Sequence, residues 1–452
     1  MGDATDVPNR VATNVVYVPP RGIRLGAGGG TRPGTATARP ELTGRKWGNS
    51  MRITKSRALV PLLLAGGLLA AACGSSSSSS TTTTSSGSSS GSGTVSVTTF
   101  NKNFTTMANL KSVTAAGKGK IAVILPDTVS SARYTEFDAP YLAKAFAAAG
   151  LSTSDTIIQN AQGSDSTQLT DAQSDITAGA SVLVVDPLDS GVGTSIESYA
   201  KAHGVPVVDY DRLVLGGSRQ YYVSFDNVKV GTLIGQGMVS CVAAWKVSSP
   251  KLAVMVGSPT DNNATLFAQG YNAILKPLFA SGAYKLLASP AGTWDPPTAL
   301  TEFQQAYTAN PTMNAVLVPN DENAAPIISY LKTLNIPAKK FPVTGQDATL
   351  VGLQNIISGY QCGTAYKPIY LEAQAAAALA LYMRAGKVPP AGLVNGTVKD
   401  TTANVNVPSS LLHPEWVTPT NMQATVISDG FVPASQLCAG AYAADCTTYG
   451  IH

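Results

Sequence analysis

Charged and amide side chains of this 452-residue chain stand where short aliphatic runs end. In the segment VVDYDRLV, residues 207–214, Asp209, Asp211 and Arg212 directly follow two valines. Carboxylates and amides accept hydrogen bonds, whereas Arg and Lys donate charge-assisted ones. Such groups also follow the other aliphatic runs, and together the candidates are Arg133, Asp211, Arg212, Asn263, Asn320, Asp347 and Lys367. This mixture suits a neutral ligand with many hydroxyl groups, since each hydroxyl both donates and accepts.

Two aromatic residues fit the same chemistry. Tyr134 follows Arg133 directly, and Trp294 stands in the polar stretch GTWDPP. An aromatic ring can stack on the apolar C–H face of a pyranose. Trp294 could instead pack in the core, but its Gly, Thr, Asp and Pro neighbours favour a loop. Arg133 could equally pair with Glu136 on the surface, where the pair would be worth little. We predict that Tyr134 and Trp294 stack on the ligand.

Catalysis is the competing interpretation. Paired carboxylates serve glycoside hydrolases, and Asp209 with Asp211, or Asp186 with Asp189, could form such a pair. Outside the Ser/Thr/Gly-rich stretch after Cys73, the chain has no G-x-S-x-G elbow, and it has no Walker-type phosphate loop and no G-x-G-x-x-G after its first predicted strand. Asp, Asn, Gly and Pro are also ordinary turn and N-cap residues, so each position alone has a structural explanation. We predict a binding protein that is not an enzyme and needs no cofactor.

The elements that must position these side chains alternate between strands and helices. Aliphatic runs predict strands in KIAVIL, TIIQ, SVLVVD and VPVVD, and after YYVSFDN the alternation restarts with KLAVMVG, YKLLAS, NAVLVP and FPVTG. Nearly continuous apolar strands separated by helices indicate parallel sheets covered on both faces. The predicted fold is therefore α/β, with two doubly wound parallel-sheet lobes. Ligands of such sheets bind outside the carboxyl ends of the strands, where the polar residues stand.

The charge distribution argues against a nucleic-acid partner. The chain has 31 Lys and Arg against 27 Asp and Glu, a net charge of +4. Residues 1–73 hold ten basic and three acidic residues, so residues 74–452 hold 21 and 24, a net charge of −3. Binding to phosphates needs clustered Lys and Arg, which this larger part of the chain does not show.

The segment from Met51 to Cys73 has the plan of a bacterial lipoprotein signal. A basic start, MRITKSR, precedes the apolar residues 58–72 and the ending LAAAC. We expect Cys73 to be lipidated, so that the protein is exported and anchored to the outer face of the cell membrane; a plain cleaved signal is the alternative. Because a signal must be N-terminal, residues 1–50 are predicted to be a disordered extension from an over-extended reading frame. Residues 74–117 are predicted to form a Ser/Thr/Gly linker and lead-in.

Export predicts oxidised cysteines. Besides Cys73 the chain has Cys241, Cys362, Cys438 and Cys446, for which the sequence allows three pairings. Cys438 and Cys446 are close in the chain and favour a local loop, and Cys241 with Cys362 follows by elimination. A metal site is not expected, since none of the three histidines neighbours a cysteine at ligand spacing.

Six segments in order give the chain a family resemblance. They are LPDTVSSARY, YDRLV, YYVSFDNVKVG, GSPTDNNATLF, GQDATLVGL and YKPI. From about Lys120 to about Val432 the chain resembles the D-xylose-binding proteins of bacterial ABC importers, within the type I periplasmic binding protein superfamily. The resemblance implies two lobes joined by a three-stranded hinge, which close on a monosaccharide and deliver it to a membrane permease. D-xylose or a similar aldopentose is the first expectation, and an aldohexose such as glucose or galactose is the second.

The resemblance also assigns sugar contacts to individual residues. Tyr134 stands where the family usually has Trp, and PNDEN, residues 319–323, stands where the family prefers a smaller run. Both departures bear on which sugar is bound. The side chains that match the family's sugar contacts are Arg133, Tyr134, Asp211, Arg212, Asn263, Trp294, Asn320, Asp347 and Lys367.

Lobe boundaries follow from the same resemblance. It implies an N-terminal lobe of residues 118–225 and 367–420, and a C-terminal lobe of residues 226–366 and 421–452. The chain would cross between them near SFDN, TAYK and QATVIS, which places Cys241 and Cys362 in the C-terminal lobe.

We expect the protein to act in transport and to be a monomer. Two other uses of this fold compete with that expectation. A transcriptional repressor would need an N-terminal DNA-binding unit, and residues 1–119 do not offer one. A sensor lipoprotein that feeds a signalling receptor is not distinguished from a transport protein by the sequence.

Overall fold

The computed structural model describes residues 95–452. The predicted extension, the signal with Cys73 and the Ser/Thr/Gly part of the predicted linker all lie outside the described residues. Residues 95–117, the end of the predicted lead-in, are folded, because Phe104, Met107 and Leu110 are buried in the core of the first lobe.

Helices and strands alternate along the described residues. The helices are α1 Lys111–Ala116, α2 Ala139–Ala148, α3 Asp165–Thr177, α4 Ser190–Ala202, α5 Asn227–Ala244, α6 Asn262–Ala280, α7 Pro296–Ala309, α8 Asp321–Thr333, α9 Leu350–Ile357, α10 Ile369–Arg384, α11 Ala434–Leu437 and α12 Ala443–Tyr449. The strands are β1 Lys120–Leu125, β2 Thr156–Asn160, β3 Ala180–Val185, β4 Val207–Tyr210, β5 Tyr221–Phe225, β6 Lys251–Val254, β7 Lys285–Ala288, β8 Ala315–Leu317, β9 Thr344–Gln346, β10 Gly363–Tyr366, β11 Gly396–Asp400, β12 Val405–Leu412 and β13 Glu415–Val417. Short 3-10 or π turns occupy Thr105–Leu110, Tyr134–Asp138, Thr153–Asp155, Gln423–Ile427 and Gly440–Tyr442.

The first lobe is built on a seven-stranded sheet in the order β11-β12-β5-β4-β3-β1-β2. Its neighbouring strands are parallel, except that β11 runs antiparallel to β12. Apolar side chains of α2 and α10 cover one face, and those of α3 and α4 cover the other. Burial on both faces explains why β1 and β3 consist almost entirely of aliphatic residues.

The second lobe repeats this plan with shorter strands. Two three-stranded sheets, β7-β6-β8 and β9-β10-β13, are joined by a parallel bridge between Val316 and Val343. Helices α5 and α6 pack on one face, and α7 and α8 on the other. The predicted α/β class with two doubly wound, mostly parallel lobes is confirmed.

The chain passes between the lobes three times, after β5, after β10 and after β12. The first two passages lie at SFDN and TAYK. The third lies at residues 413–414, so the expected passage near QATVIS is wrong. It occurs earlier because β13 already pairs with β10 of the second lobe, while QATVI forms a π turn that packs in that lobe's core. A three-residue edge strand leaves little periodic pattern in the sequence.

Within residues 95–452, disulfides join Cys241 to Cys362 and Cys438 to Cys446, as the sequence predicted. The first links the last turns of α5 to the residue before β10, so both of its cysteines lie in the second lobe. The second closes a short loop between α11 and α12.

Candidate functional site

One cavity of about 310 Å³ lies where the carboxyl ends of the two lobes' strands face each other. All nine side chains predicted as ligand contacts line it, namely Arg133, Tyr134, Asp211, Arg212, Asn263, Trp294, Asn320, Asp347 and Lys367. Five residues that the sequence argument did not select complete the lining: Ser130, Ser131, Asp261, Phe267 and Gln346.

Parallel strands bring these residues together, since each contributing segment lies at the carboxyl end of a strand or in the segment that follows it. The first lobe supplies residues 130–134 after β1, and Asp211 and Arg212 after β4. In the second lobe, residues 261–267 follow β6, Trp294 follows β7 and Asn320 follows β8. Residues 346–347 lie at the end of β9, and Lys367 follows β10. Such convergence at one edge is a general property of doubly wound sheets.

Arg133 is held by three buried carboxyl groups. Its Nε and Nη2 donate to Asp138 at 2.8 and 2.7 Å, Nη2 donates to Glu372 at 2.6 Å, and Nη1 donates to Asp211 at 2.7 Å. The hydroxyl of Tyr210 also donates to Asp138. Burial raises the pKa of Glu372 to about 8, although the charge of Arg133 opposes this. Four of the five guanidinium N–H groups are engaged, so Arg133 is rigid and has one N–H of Nη1 left for a ligand.

Asp211 remains ionised despite its burial. Burial by itself would raise its pKa, but the charges of Arg133, Lys367 and Arg212 outweigh that effect and hold the pKa below its usual value. Its φ of 57° is in the left-handed region, which Asp tolerates better than most residues. The backbone carbonyl of Asp211 accepts a hydrogen bond of 2.8 Å from the Tyr222 hydroxyl, which fixes this turn.

The Arg212 guanidinium is surrounded by protein atoms. Nε faces the carboxylates of Asp186 and Asp261 at 3.7 and 3.6 Å. Because Asp261 belongs to the second lobe, the contact between Arg212 and Asp261 is a charge contact across the cleft. The Nη groups donate to the carbonyls of Pro187 and Leu188 and the hydroxyl of Ser130, all at 3.3 Å, and to the hydroxyl of Tyr134 at 2.8 Å. Arg212 therefore orients Tyr134 and holds the cavity wall, and its Nη groups already have hydrogen-bond partners.

Lys367 connects acidic side chains of both lobes. Its Nζ lies 3.1 Å from Oδ1 of Asp347 and 3.8 Å from Oδ1 of Asp211. Burial would lower the pKa of Lys367, but the charges of Asp347 and Asp211 raise it above the usual value. Asp347 has a φ of 89°, and its Oδ2 lies 3.2 Å from the Ser131 hydroxyl of the first lobe, whose single proton it shares with Glu322 Oε1 at 3.1 Å. The ammonium is charged and can still donate to a ligand.

The two predicted amides bridge the lobes. Nδ2 of Asn263 donates to the carbonyl of Asp211 at 2.9 Å, and its Oδ1 accepts from Asn227 at 2.8 Å and lies 3.1 Å from the Tyr222 hydroxyl oxygen. Asn320 caps α8, and its Nδ2 donates to the carbonyl of Ser130 and to Glu322, each at 3.2 Å. Asn263 keeps one N–H for a ligand, whereas both N–H groups of Asn320 are engaged.

Trp294 is fixed as an aromatic wall of the cavity. Its Nε1 donates to Asp261 at 2.9 Å, and its ring meets Phe267 edge-on with centroids 6.4 Å apart. The backbone of Gly257 passes so close that a Cβ there would overlap the indole ring. Because Nε1 has a partner, the ring is left for apolar contact with a ligand.

The five unpredicted lining residues follow rules that could have selected them. Ser130, Ser131 and Asp261 stand after strands, and Gln346 is the last residue of β9; all four belong to the motifs that supplied the predicted residues. Phe267 lies four residues after Asn263 on α6, and this spacing places both on one helix face. The sequence alone does not single them out, because small hydroxyls, a helix-capping Asp and a lone Phe have common structural roles.

Asp209 differs from its neighbours Asp211 and Arg212, because it does not line the cavity. It is fully buried, accepts a hydrogen bond of 2.8 Å from the Val214 backbone and lies 3.8 Å from Nε of Arg219. The carboxylates of Asp209 and Asp211 therefore do not share a substrate site. Asp209 holds the loop that follows β4.

Two kinds of feature are absent from residues 95–452. Their helices include none with the length and apolar character needed to span a bilayer. In the same residues, His, Cys, Asp and Glu side chains form no group of three that could hold a metal ion.

Comparison with known proteins gives consistent matches. The family model described as periplasmic binding protein domain matches residues 121–387. The chain is 37% identical over 285 residues to a D-xylose-binding periplasmic protein of Escherichia coli (strain K12), covering 62% of this chain and 82% of that protein. It is 32% identical over 342 residues to a multiple sugar-binding periplasmic receptor of Rhizobium radiobacter, covering 72% and 93%. A carbohydrate transporter solute binding protein from Chloroflexus aurantiacus, solved in complex with D-glucose, superposes with a TM-score of 0.62 at 26% identity, covering 70% and 97%.

Proposed function

The chain belongs to the periplasmic binding protein family, and from this premise we propose that it captures a monosaccharide for an ABC importer. D-xylose or a similar aldopentose is the proposed ligand. The D-xylose-binding relative, 37% identical, supports this choice. The protein acts by binding and release and carries out no chemical step.

The observation that carries the proposal is that both lobes contribute to a single polar cavity. Arg133 and Asp211 come from the first lobe, Asp347 comes from the second, and Lys367 stands at the second passage between them. Their remaining donors and acceptors alternate around the cavity, as the hydroxyls of a sugar require. Each lobe alone offers only half of these contacts, so a sugar binds tightly when the lobes meet and shifts the protein to the closed form.

The charges of the cavity favour a neutral ligand. Every cationic side chain of the lining lies within 4 Å of a carboxylate: Arg133 beside Asp211, Arg212 beside Asp261, and Lys367 beside Asp347. An anionic sugar would meet these carboxylates without an unpaired cation to offset them, and burial of such a charge is costly. A hydroxyl carries no such penalty.

An aldohexose such as glucose or galactose is the second candidate. The D-glucose complex at 26% identity and the multiple sugar-binding relative at 32% identity both favour a site that admits more than pentoses. Competition between D-xylose and D-glucose for the purified protein decides which is preferred.

We also propose that the protein works outside the cytoplasm as a monomer, anchored through lipid on Cys73. The basic and apolar residues before Cys73 support this location. Fatty-acid labelling of the wild-type chain and of Cys73→Ser tests the anchor. Equal labelling of the two would remove Cys73 from the proposal.

Calorimetry with a panel of pentoses and hexoses tests the binding function. At least one neutral aldose is expected to bind with exothermic saturation and to raise the melting temperature. Asp347→Ala leaves Lys367 with a single carboxylate at 3.8 Å. Loss of one partner of a buried charge pair costs about 2–5 kcal/mol, so affinity is expected to fall by about 30-fold or more.

Asp165→Ala, exposed on α3, is the matched control and should bind like the wild type. If no sugar in the panel binds the wild-type chain, the proposed function is wrong. If sugar binds equally to the wild type and Asp347→Ala, Asp347 is not part of the site.

A further inference from the structure

Gln346 is distinguished among the amides of the cavity by a buried side-chain oxygen that has no hydrogen-bond partner in residues 95–452. It is 4% exposed and lines the cavity. Its Oε1 is buried, and no donor among residues 95–452 forms a hydrogen bond to it. By contrast, Arg212 and Asn320 donate from every N–H of their Nη and Nδ2 groups to other protein atoms.

A buried amide without a partner is uncommon and calls for an explanation. It loses its hydrogen bonds to water on burial and gains none in return. The backbone around Gln346 is firmly paired, since Gln346 stands opposite Ala365 in the parallel pairing of β9 with β10 and Asp347 N–H donates to the Ala365 carbonyl at 3.0 Å. On the same strand, the Thr344 hydroxyl bonds to the backbone of Val318. Gln346 is thus presented by a rigid strand end.

From this geometry we infer that Gln346 hydrogen-bonds directly to the sugar and determines which hydroxyl pattern is accepted. The inference rests on the proposed function and adds a specificity residue to it. The amide offers an acceptor and two donors in one group, so it can bind one hydroxyl twice or two neighbouring hydroxyls. The adjacent ion pair of Asp347 and Lys367, 3.1 Å apart, supplies charged partners for the neighbouring positions of the ring.

The inference predicts strong discrimination against one deoxy sugar. A site built to hydrogen-bond a hydroxyl rejects an analogue that lacks it, because the buried polar group is then left unpaired. Gln346→Met keeps the length of the side chain and removes the amide. We expect this variant to bind the parent sugar about 10- to 100-fold more weakly.

The experiment measures affinities of the wild type and Gln346→Met for the best sugar of the panel and for each of its monodeoxy analogues. For one analogue the two proteins are expected to bind equally, because the hydroxyl that Gln346 contacts is already missing. Gln269→Met, exposed on α6, is the control and should match the wild type throughout. The melting temperature of Gln346→Met without sugar is expected to be unchanged or higher, since an unpaired buried amide has been removed.

Four outcomes overturn the inference. Equal affinity of the wild type and Gln346→Met for the parent sugar shows that Gln346 makes no contact. The same loss for the parent and for every deoxy analogue, or a lower melting temperature, shows a packing role instead. If the wild type binds no sugar at all, the proposed function fails and the inference fails with it, so the two failures are told apart by the wild-type titration.

Discussion

Closure of the cleft on sugar is expected to take up a proton at Glu322. This side chain stands in the first turn of α8, outside the cavity lining, and reaches across to the first lobe. Its Oε1 accepts hydrogen bonds from the Ser131 hydroxyl at 3.1 Å and from the Ala132 backbone N–H at 2.9 Å. Glu322 does not line the cavity itself, but its Oε2 accepts a hydrogen bond of 3.2 Å from the lining residue Asn320. Its effect on closure is therefore read from the pH dependence of affinity.

The pKa of Glu322 depends on whether the lobes are in contact. Burial, followed by the charges of Asp347 and Asp321, raises this pKa from 4.5 to about 8. Opening removes most of the burial, whereas Asp347 and Asp321 belong to the same lobe and stay beside Glu322, with Lys367 paired to Asp347. The pKa in the open form is therefore expected between 4.5 and 8.

The direction of the pH dependence follows from these two values. Between the open-form and closed-form pKa, the closed protein carries a proton that the open protein lacks, so closing becomes less favourable as pH rises. If closing takes up one whole proton, the closing free energy changes by about 1.4 kcal/mol, and the affinity tenfold, per pH unit. This is the upper limit for a single group. Because Asp347 and Asp321 already raise the open-form pKa, we expect about threefold weaker binding per unit from pH 6 to 8 and little change above that.

Calorimetry at pH 6, 7 and 8, in buffers with different ionisation enthalpies, measures both the affinity and the proton uptake. Glu322→Gln keeps an acceptor oxygen for Ser131 and Ala132 but does not titrate, so its affinity is expected to vary less with pH. Glu322→Ala removes the acceptor, so it favours the open form. Because a smaller fraction of the protein is then closed and able to bind, the affinity is expected to fall by about 5- to 50-fold at every pH. Glu136→Gln, on an exposed side chain, is the control.

Two results would refute this reasoning. Identical pH profiles for the wild type and Glu322→Gln mean that any proton is taken up elsewhere, for example at Asp321 or Glu372, whose pKa values are about 7 and 8. An affinity of Glu322→Ala equal to that of the wild type means that the contacts to Ser131 and Ala132 do not stabilise closure.

Three further substitutions test residues that hold the site in place. Asp138→Asn removes a charge that holds Arg133 through two N–H groups, so the midpoint of urea unfolding should fall by an amount equivalent to about 3–5 kcal/mol; an unchanged midpoint contradicts the structural role. Gly257→Ala pushes its Cβ into the Trp294 ring, so sugar affinity measured by calorimetry should drop at least tenfold with a small change in melting temperature. Cys241→Ser, made together with the same change at its disulfide partner 121 residues away, should lower unfolding free energy by about 2–4 kcal/mol while sugar affinity stays within about twofold. A large loss of sugar affinity in that double variant would show that the disulfide shapes the cleft.

The sequence alone located nine of the fourteen residues that line the cavity. Aliphatic runs located the strands, and polar residues such as Asp211 and Asp347 stood directly after them. Parallel strands share one edge for their carboxyl ends, so residues far apart in the chain were expected to converge. The structure places all nine of the selected side chains around one cavity.

The tertiary structure decided which of these side chains have hydrogen bonds left for a ligand. Arg212 and Gln346 look equally available in the sequence, yet the structure surrounds Arg212 with partners and leaves Gln346 without one. It also placed the third passage at residues 413–414 and directed Glu322 at the opposite lobe. Periodicity and turn residues indicate the structure of positions that are close in the chain. The groups that donate hydrogen bonds to Glu322 lie some 190 residues away. Such partners are selected by packing of the two lobes, and local sequence patterns do not encode that packing.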